Sequence, residues 1–134
     1  MSFAVWVQWF DGGVADAVPV TVVESAFGAS VTKREGSRWL LRHGVDDLCE
    51  LRLQSSDSRG VDGLTVSHPC GAPALWDAIL KVVSERHGVC YWPGGAVVAS
   101  PDTRAHLPEE MRASLGDLAV VATGANIAEA VAHS

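Results

Sequence analysis

Hydrophobic residues in this chain alternate in segments such as FAVWVQWF and LCELRLQ and then, from Leu75 to Val83, recur every third or fourth position, and this change of period constrains the fold more than any other feature. In FAVWVQWF, Phe3, Val5, Val7 and Trp9 fall on one side, which predicts a half-buried strand closed by the turn residues Asp11-Gly12-Gly13. VTKREGSRWLLRH predicts two strands around Glu35-Gly36-Ser37. LCELRLQ sets Cys49, Leu51 and Leu53 against Glu50, Arg52 and Gln54, and LTVSH returns as a further strand. Between these, Thr21 and Glu24 have capping-box spacing and Gly28 fits a helix stop, so a short helix is expected from about Val22 to Phe27.

From Ala74 the pattern is helical. Leu75, Ile79, Val82 and Val83 stand at i, i+4, i+7 and i+8, Trp76 and Leu80 widen the apolar face, and a helix is expected from about Ala74 to His87, before Gly88. VCYW and AVVAS flank Pro93-Gly94-Gly95 as two strands. Ser100 before Pro101 marks a helix start, and Pro108 opens a helical turn running to Leu115 with Gly116 as its stop. LAVVA has the composition of a fully buried strand, and Ala125 to Ala132 can close the chain as a helix. The expected fold is α/β (α+β) in one globular domain, residues 1–134: a mixed, largely antiparallel sheet with one main amphipathic helix and two to three short helices packed on it.

With 134 residues and 48% hydrophobic content, such a core needs no disulfide staples. Cys49, Cys70 and Cys90 are odd in number and widely spaced, which fits free thiols in a reducing compartment. No basic leader precedes the first apolar run, and no apolar run approaches the roughly 20 residues of a membrane span, so a cytoplasmic protein without membrane association is expected. The net charge of −6 is unevenly placed: residues 1–29 carry −3, residues 30–43 carry +3 and residues 44–77 carry −4. An acidic total argues against tracking a phosphate backbone and favours a basic partner.

The stretch HPCGAPALWD places His68, Cys70 and Asp77 close together in sequence. A zinc deaminase site would need H-x-E and P-C-x-x-C, and neither is present. A thiol nucleophile is chemically better founded, because Cys70 precedes a helix start, where the dipole favours a thiolate, and His68 or His106 could serve as base. The ordinary reading of such a cysteine is packing. The five histidines include no i, i+4 pair and no H-x-H, so neither metal nor cofactor is expected. Thr123-Gly124-Ala125-Asn126 has the context of an anion loop but a single glycine, and fits a turn with an N-cap. The acidic pairs Asp46-Asp47 and Glu109-Glu110 suit solvated turns.

HPCGAPALWDAIL, GVCYWPGGAVVAS and AHLPEEMRASLGDLAVVATG together resemble small single-domain bacterial proteins of the toxin-immunity kind, over about half of the chain and in overall plan rather than in any catalytic string. The resemblance implies a non-catalytic protein that neutralises a toxin by occupying its surface, and it transfers no site residue. Charge and aromatic content then select the expected partner-binding residues: Asp46, Asp47, Asp57 and Asp62 around an alternating strand, and Trp6 on the strand face away from the core. A homodimer is compatible with the apolar composition. The alternative is a small enzyme or ligand-binding domain using Cys70 with a histidine, or a pocket lined by Trp76, Tyr91 and Trp92.

Overall fold

The computed structural model describes residues 3–43, 48–55, 60–116 and 118–133. The strands are β1 (Ala4–Asp11), β2 (Val14–Asp16), β3 (Val31–Glu35), β4 (Arg38–Arg42), β5 (Leu48–Gln54), β6 (Gly63–Ser67), β7 (Gly88–Trp92), β8 (Gly95–Val98) and β9 (Ala119–Val120). The helices are α1 (Val20–Phe27), α2 (Pro73–Val83), α3 (Thr103–His106), α4 (Glu109–Leu115) and α5 (Gly124–Ala132). All nine strands form one sheet in the order β3-β4-β5-β6-β1-β7-β8-β9, with β2 paired to β1 as a hairpin extension. Among the described residues only the β8–β9 pairing is parallel, so the architecture is α+β with a mostly antiparallel sheet.

β1 lies in the centre of this sheet. β6 and β7 both run antiparallel to it, on opposite sides, and α2 crosses between them. Register fixes what each face carries. Val5, Val7 and Trp9 stand level with Val66 and Leu64 of β6 and with Cys90 and Gly88 of β7, on the face covered by α1, α2 and α5. This is the main core, and Val5, Val7, Trp9, Leu75, Ile79, Val82 and Ile127 are fully buried in it. The indole N–H of Trp9 donates to the carbonyl of Val82 at 2.9 Å, which fastens the end of α2 to β1. Gly88 is required where the two meet, because a Cβ there would lie 2.5 Å from the carbonyl oxygen of Val83.

Among the described residues, the opposite face is covered at one end only. There α3, α4 and their flanking residues pack Leu107, Met111 and Leu115 onto Phe10, Val89, Ala96 and Val98. Among the described residues, β4, β5, β6 and most of β1 carry no helix on this side.

Several boundaries differ from the sequence expectation. α1 begins at Val20, with Pro19 as an extended N-cap residue, so Thr21 lies inside the helix and its capping box with Glu24 does not form. Gly28 keeps a right-handed φ of −54° and leads into a 3-10 turn over Gly28–Ser30 rather than a left-handed stop. α2 ends at Val83: the Ser84 hydroxyl bonds back to Leu80 O at 2.7 Å, and Arg86 takes a φ of 49°, so the chain leaves the helix before His87. β9 is not a buried strand. It contributes two exposed residues at the sheet edge, with only Val121 beyond it turned inward. Phe3 precedes β1 and is 37% exposed, unlike Val5 and Val7. The proposed turn at Thr123 forms as expected, with Thr123 and Asn126 exchanging both bonds of a capping box at the start of α5.

Candidate functional site

Three rows of side chains cross the uncovered half of the sheet. One runs Arg38, Arg52, Thr65, Trp6 and Tyr91, from β4 through β1 to β7. A second runs Leu40, Glu50, Ser67 and Ala4, and the third carries Arg42 beside Leu48. Alternation along each strand puts these residues here, because their neighbours in sequence are drawn into the main core.

The end of this face nearest α3 and α4 is aromatic. Trp6 and Tyr91 stack with ring centroids 5.6 Å apart and 25° between planes, and the Tyr91 hydroxyl donates to Gln8 Oε1 at 2.8 Å. Burial, and then the neighbouring Cys90, push the Tyr91 phenol up, so it stays a neutral donor. Trp6 is partly exposed, as the sequence suggested. Towards the β4–β5 end the face dips into a concavity of about 470 Å³ whose apolar part is Leu40 and Leu48, with Arg42, Glu50 and His68 around it. Leu48 is 54% exposed, a large value for a leucine in a strand.

Charges beside this patch are matched to one another. Glu50 accepts from Arg38 Nε at 3.0 Å and from Arg52 Nη2 at 3.1 Å, and Glu35 pairs with Lys33 at 2.9 Å and Arg38 at 3.6 Å. The Arg38 hydrogen bond holds the Glu50 carboxyl below the usual range, and the Lys33 hydrogen bond does the same for Glu35. Arg34 pairs with Glu24 of α1 and stacks over Trp39. The basic stretch 33–42 is therefore largely balanced by acids from neighbouring elements, and it needs no acidic ligand to account for it. Exposed pairs of this kind contribute little to stability.

Among the expected binding residues, Asp46, Asp47 and Asp57 lie outside the described residues. Asp62 is half-buried just ahead of β6, where its peptide N–H donates to Gln54 O at 2.9 Å. It stands three residues before Thr65, the cross-strand neighbour of Trp6.

The three cysteines are thiols. Cys70 lies in the loop before α2, partly buried against the core, and its carbonyl accepts the indole N–H of Trp76 at 2.9 Å. Among the described residues its sulfur forms no hydrogen bond with a histidine. Cys90 is fully buried, and burial pushes its thiol up, away from nucleophilic use. A pocket shared by Trp76, Tyr91 and Trp92 does not form: Trp76 and Trp92 pack on the helical side of the sheet, whereas Tyr91 stacks on Trp6 on the other.

A second constellation joins residues that the sequence scatters. Asp11 at the end of β1, His87 just before β7 and His106 at the end of α3 each offer a donor atom within 4.8 Å of the others. The two imidazoles stack with centroids 3.5 Å apart and 7° between planes. The separations of 76 and 19 residues along the chain match no local ligand spacing, so only the pairing of β1 with β7 and the return of α3 make the cluster visible.

Among the described residues no helix is long and apolar enough to cross a membrane. Comparison with protein-family models, curated proteins and solved structures finds no match, so the functional reading rests on these two surfaces.

Proposed function

We propose that this chain is a non-catalytic, immunity-type protein that binds and neutralises a partner toxin domain, and that the uncovered half of its sheet is the docking face. The observation that carries the reading is the pair of apolar patches on one open sheet face, the Trp6–Tyr91 stack and the Leu40–Leu48 concavity, with Thr65, Ser67 and the Arg38–Glu50–Arg52 network between them. Apolar patches set among polar groups are common in protein interfaces, and tryptophan is among the strongest interface anchors. The net charge of −6 favours a basic partner, and the acidic segment from Asp46 to Asp62 would then steer encounter while the sheet face supplies the contact.

The test looks for a toxin gene beside this chain's own gene, purifies the toxin domain it encodes and measures binding kinetics at two ionic strengths; absence of any such gene counts against the reading. Trp6→Ala combined with Leu48→Asp should weaken the complex by roughly 30-fold or more, the effect of losing an interface anchor, through faster dissociation. Asp62→Lys should mainly slow association at low salt. Unchanged kinetics in both variants, with melting temperatures intact, would remove this face from the interface.

Cys70→Ser separates this reading from a thiol enzyme. The substitution should leave neutralisation intact and change stability by no more than about 1 kcal/mol, since the residue is only partly buried. Loss of activity in a normally melting variant would assign the function to a reactive thiol instead.

A further inference from the structure

We propose that Asp11, His87 and His106 form a binding site for a divalent transition metal of borderline character, with Zn²⁺ as the representative ion. Its place in the fold is the β1–β2 hairpin end of the sheet. Asp11 is five residues along β1 from Trp6, a strand distance of roughly 16 Å, so the site is separate from the proposed docking face.

The three residues are held by main-chain bonds independent of their side chains. Phe10 N–H donates to the carbonyl of His87 at 3.2 Å, and Gly13 N–H donates to the carbonyl of His106 at 2.9 Å. Both histidines are thereby tied to the hairpin that carries Asp11. The hairpin turns through Gly12 and Gly13, with φ of 59° and 85°, where side-chain-bearing residues are disfavoured. The turn also aims the Gly12 N–H at Nδ1 of His106, 3.1 Å away. A peptide N–H can only donate, so Nδ1 carries a lone pair there.

That nitrogen lies 3.4 Å from Asp11 Oδ1. The distance is long for a hydrogen bond, whose usual range is about 2.7–3.2 Å. It matches the separation of about 3.3–3.4 Å between two ligands of a tetrahedral ion with bonds of about 2.0–2.1 Å. Two imidazole nitrogens and one carboxylate oxygen suit Zn²⁺ and its neighbours, whereas Ca²⁺ and Mg²⁺ require oxygen donors. The Asp11 side chain is 73% exposed and that of His106 29%, so an ion held here keeps coordination room towards solvent. Arg86, the cation next to His87 in sequence, directs its guanidinium to Asp16 at 3.0 Å.

The ring geometry adds a specific consequence. A metal lies near the plane of each imidazole that binds it, and two nearly parallel rings stacked with centroids 3.5 Å apart have planes that do not meet near the rings. Ligation must therefore turn at least one ring out of the stack. The Gly12 N–H must also release Nδ1 if that nitrogen is the ligand.

The experiment titrates untagged full-length protein with Zn²⁺ by calorimetry and with Co²⁺ by visible and NMR spectroscopy. One equivalent of Zn²⁺ should bind, and His87→Gln or His106→Gln should weaken binding by roughly tenfold or more, because each removes one of three ligands. His133→Gln should have no effect. In the unmodified protein, which avoids any folding defect of the variants, Co²⁺ should broaden the resonances of Gly12, Gly13 and Gly88 while sparing Ala4, and should produce no thiolate charge-transfer band. Absence of a one-to-one complex would overturn the proposal. So would binding that survives both histidine substitutions, or a thiolate band that assigns the ion to cysteine.

Discussion

Replacing Trp9 with alanine is expected to remove about 3–5 kcal/mol of folding stability, the range for truncating a fully buried aromatic. Trp9 has no exposed surface, lies between α2 and the centre of the sheet, and holds the end of α2 through its bond to Val82 O at 2.9 Å. The same carbonyl also accepts from Glu85 N–H at 3.2 Å, so loss of the indole does not orphan it, and most of the expected cost comes from the cavity. Trp9→Phe isolates the remainder: it keeps an aromatic ring in place and should cost roughly 1–2 kcal/mol for the lost hydrogen bond and the smaller volume. Urea denaturation of both variants checks this. Equal losses would mean that the hydrogen bond, and not the buried ring, anchors the helix.

Ile79→Ala is expected to cost about 2–5 kcal/mol. Ile79 is fully buried in the middle of α2, whose inner surface also presents Leu75, Trp76, Val82 and Val83, and it shares one core with Val23 and Phe27 of α1 and Ile127 of α5. A cavity there opens in the core that α1, α2 and α5 share. Lys81→Ala, on the exposed side, is the control and should shift stability by about 0.5 kcal/mol or less. If the two variants melt alike, α2 does not pack as described.

Much of this architecture was legible before any coordinates. The alternation in β1 and β5 identified Val5, Val7, Trp9, Cys49 and Leu51 as inward-facing, and the helical spacing of Leu75, Ile79, Val82 and Val83 identified the buried side of α2. Both patterns survive because burial on one face selects residue type at each step of the repeat. What failed to show was local geometry set by tertiary context. Pro19 starts α1 where Thr21 had the better capping chemistry, and Arg86 ends α2 by a left-handed turn that only glycine or asparagine would have announced. LAVVA has the composition of a buried strand, yet its position beyond β8 leaves Val120 53% exposed, because order in the sheet is not written in any one segment.

The candidate surfaces follow the same division. Trp6 could be placed on the outward side of β1 by parity alone, but its stack with Tyr91 depends on the pairing of β1 with β7, 85 residues apart in sequence number. The Asp11–His87–His106 cluster is more remote still. Taken singly, Asp11 reads as a turn residue, His87 as the end of a helix and His106 as a base for Cys70, and the signal that could have joined them is the coincidence of Asp-Gly-Gly, His-Gly and His-Leu-Pro at three element boundaries.

The central position of β1 also governs the order in which the molecule can assemble during synthesis. β1 leaves the ribosome ahead of its long-range partners, β6 at residues 63–67 and β7 at residues 88–92, and only β2 follows it closely as a hairpin partner. The meander of β3 to β6 can pair one strand after another as it emerges, while the β7 edge of β1 stays unsatisfied until residues 88–92 have been made. Pairings between segments so distant in sequence form slowly, and an unpaired strand edge is the part of a nascent protein most open to misassociation. Trp6, Val7, Gln8 and Trp9, which pair with β7, are therefore the residues for which a chaperone on the emerging chain would have the longest time to compete.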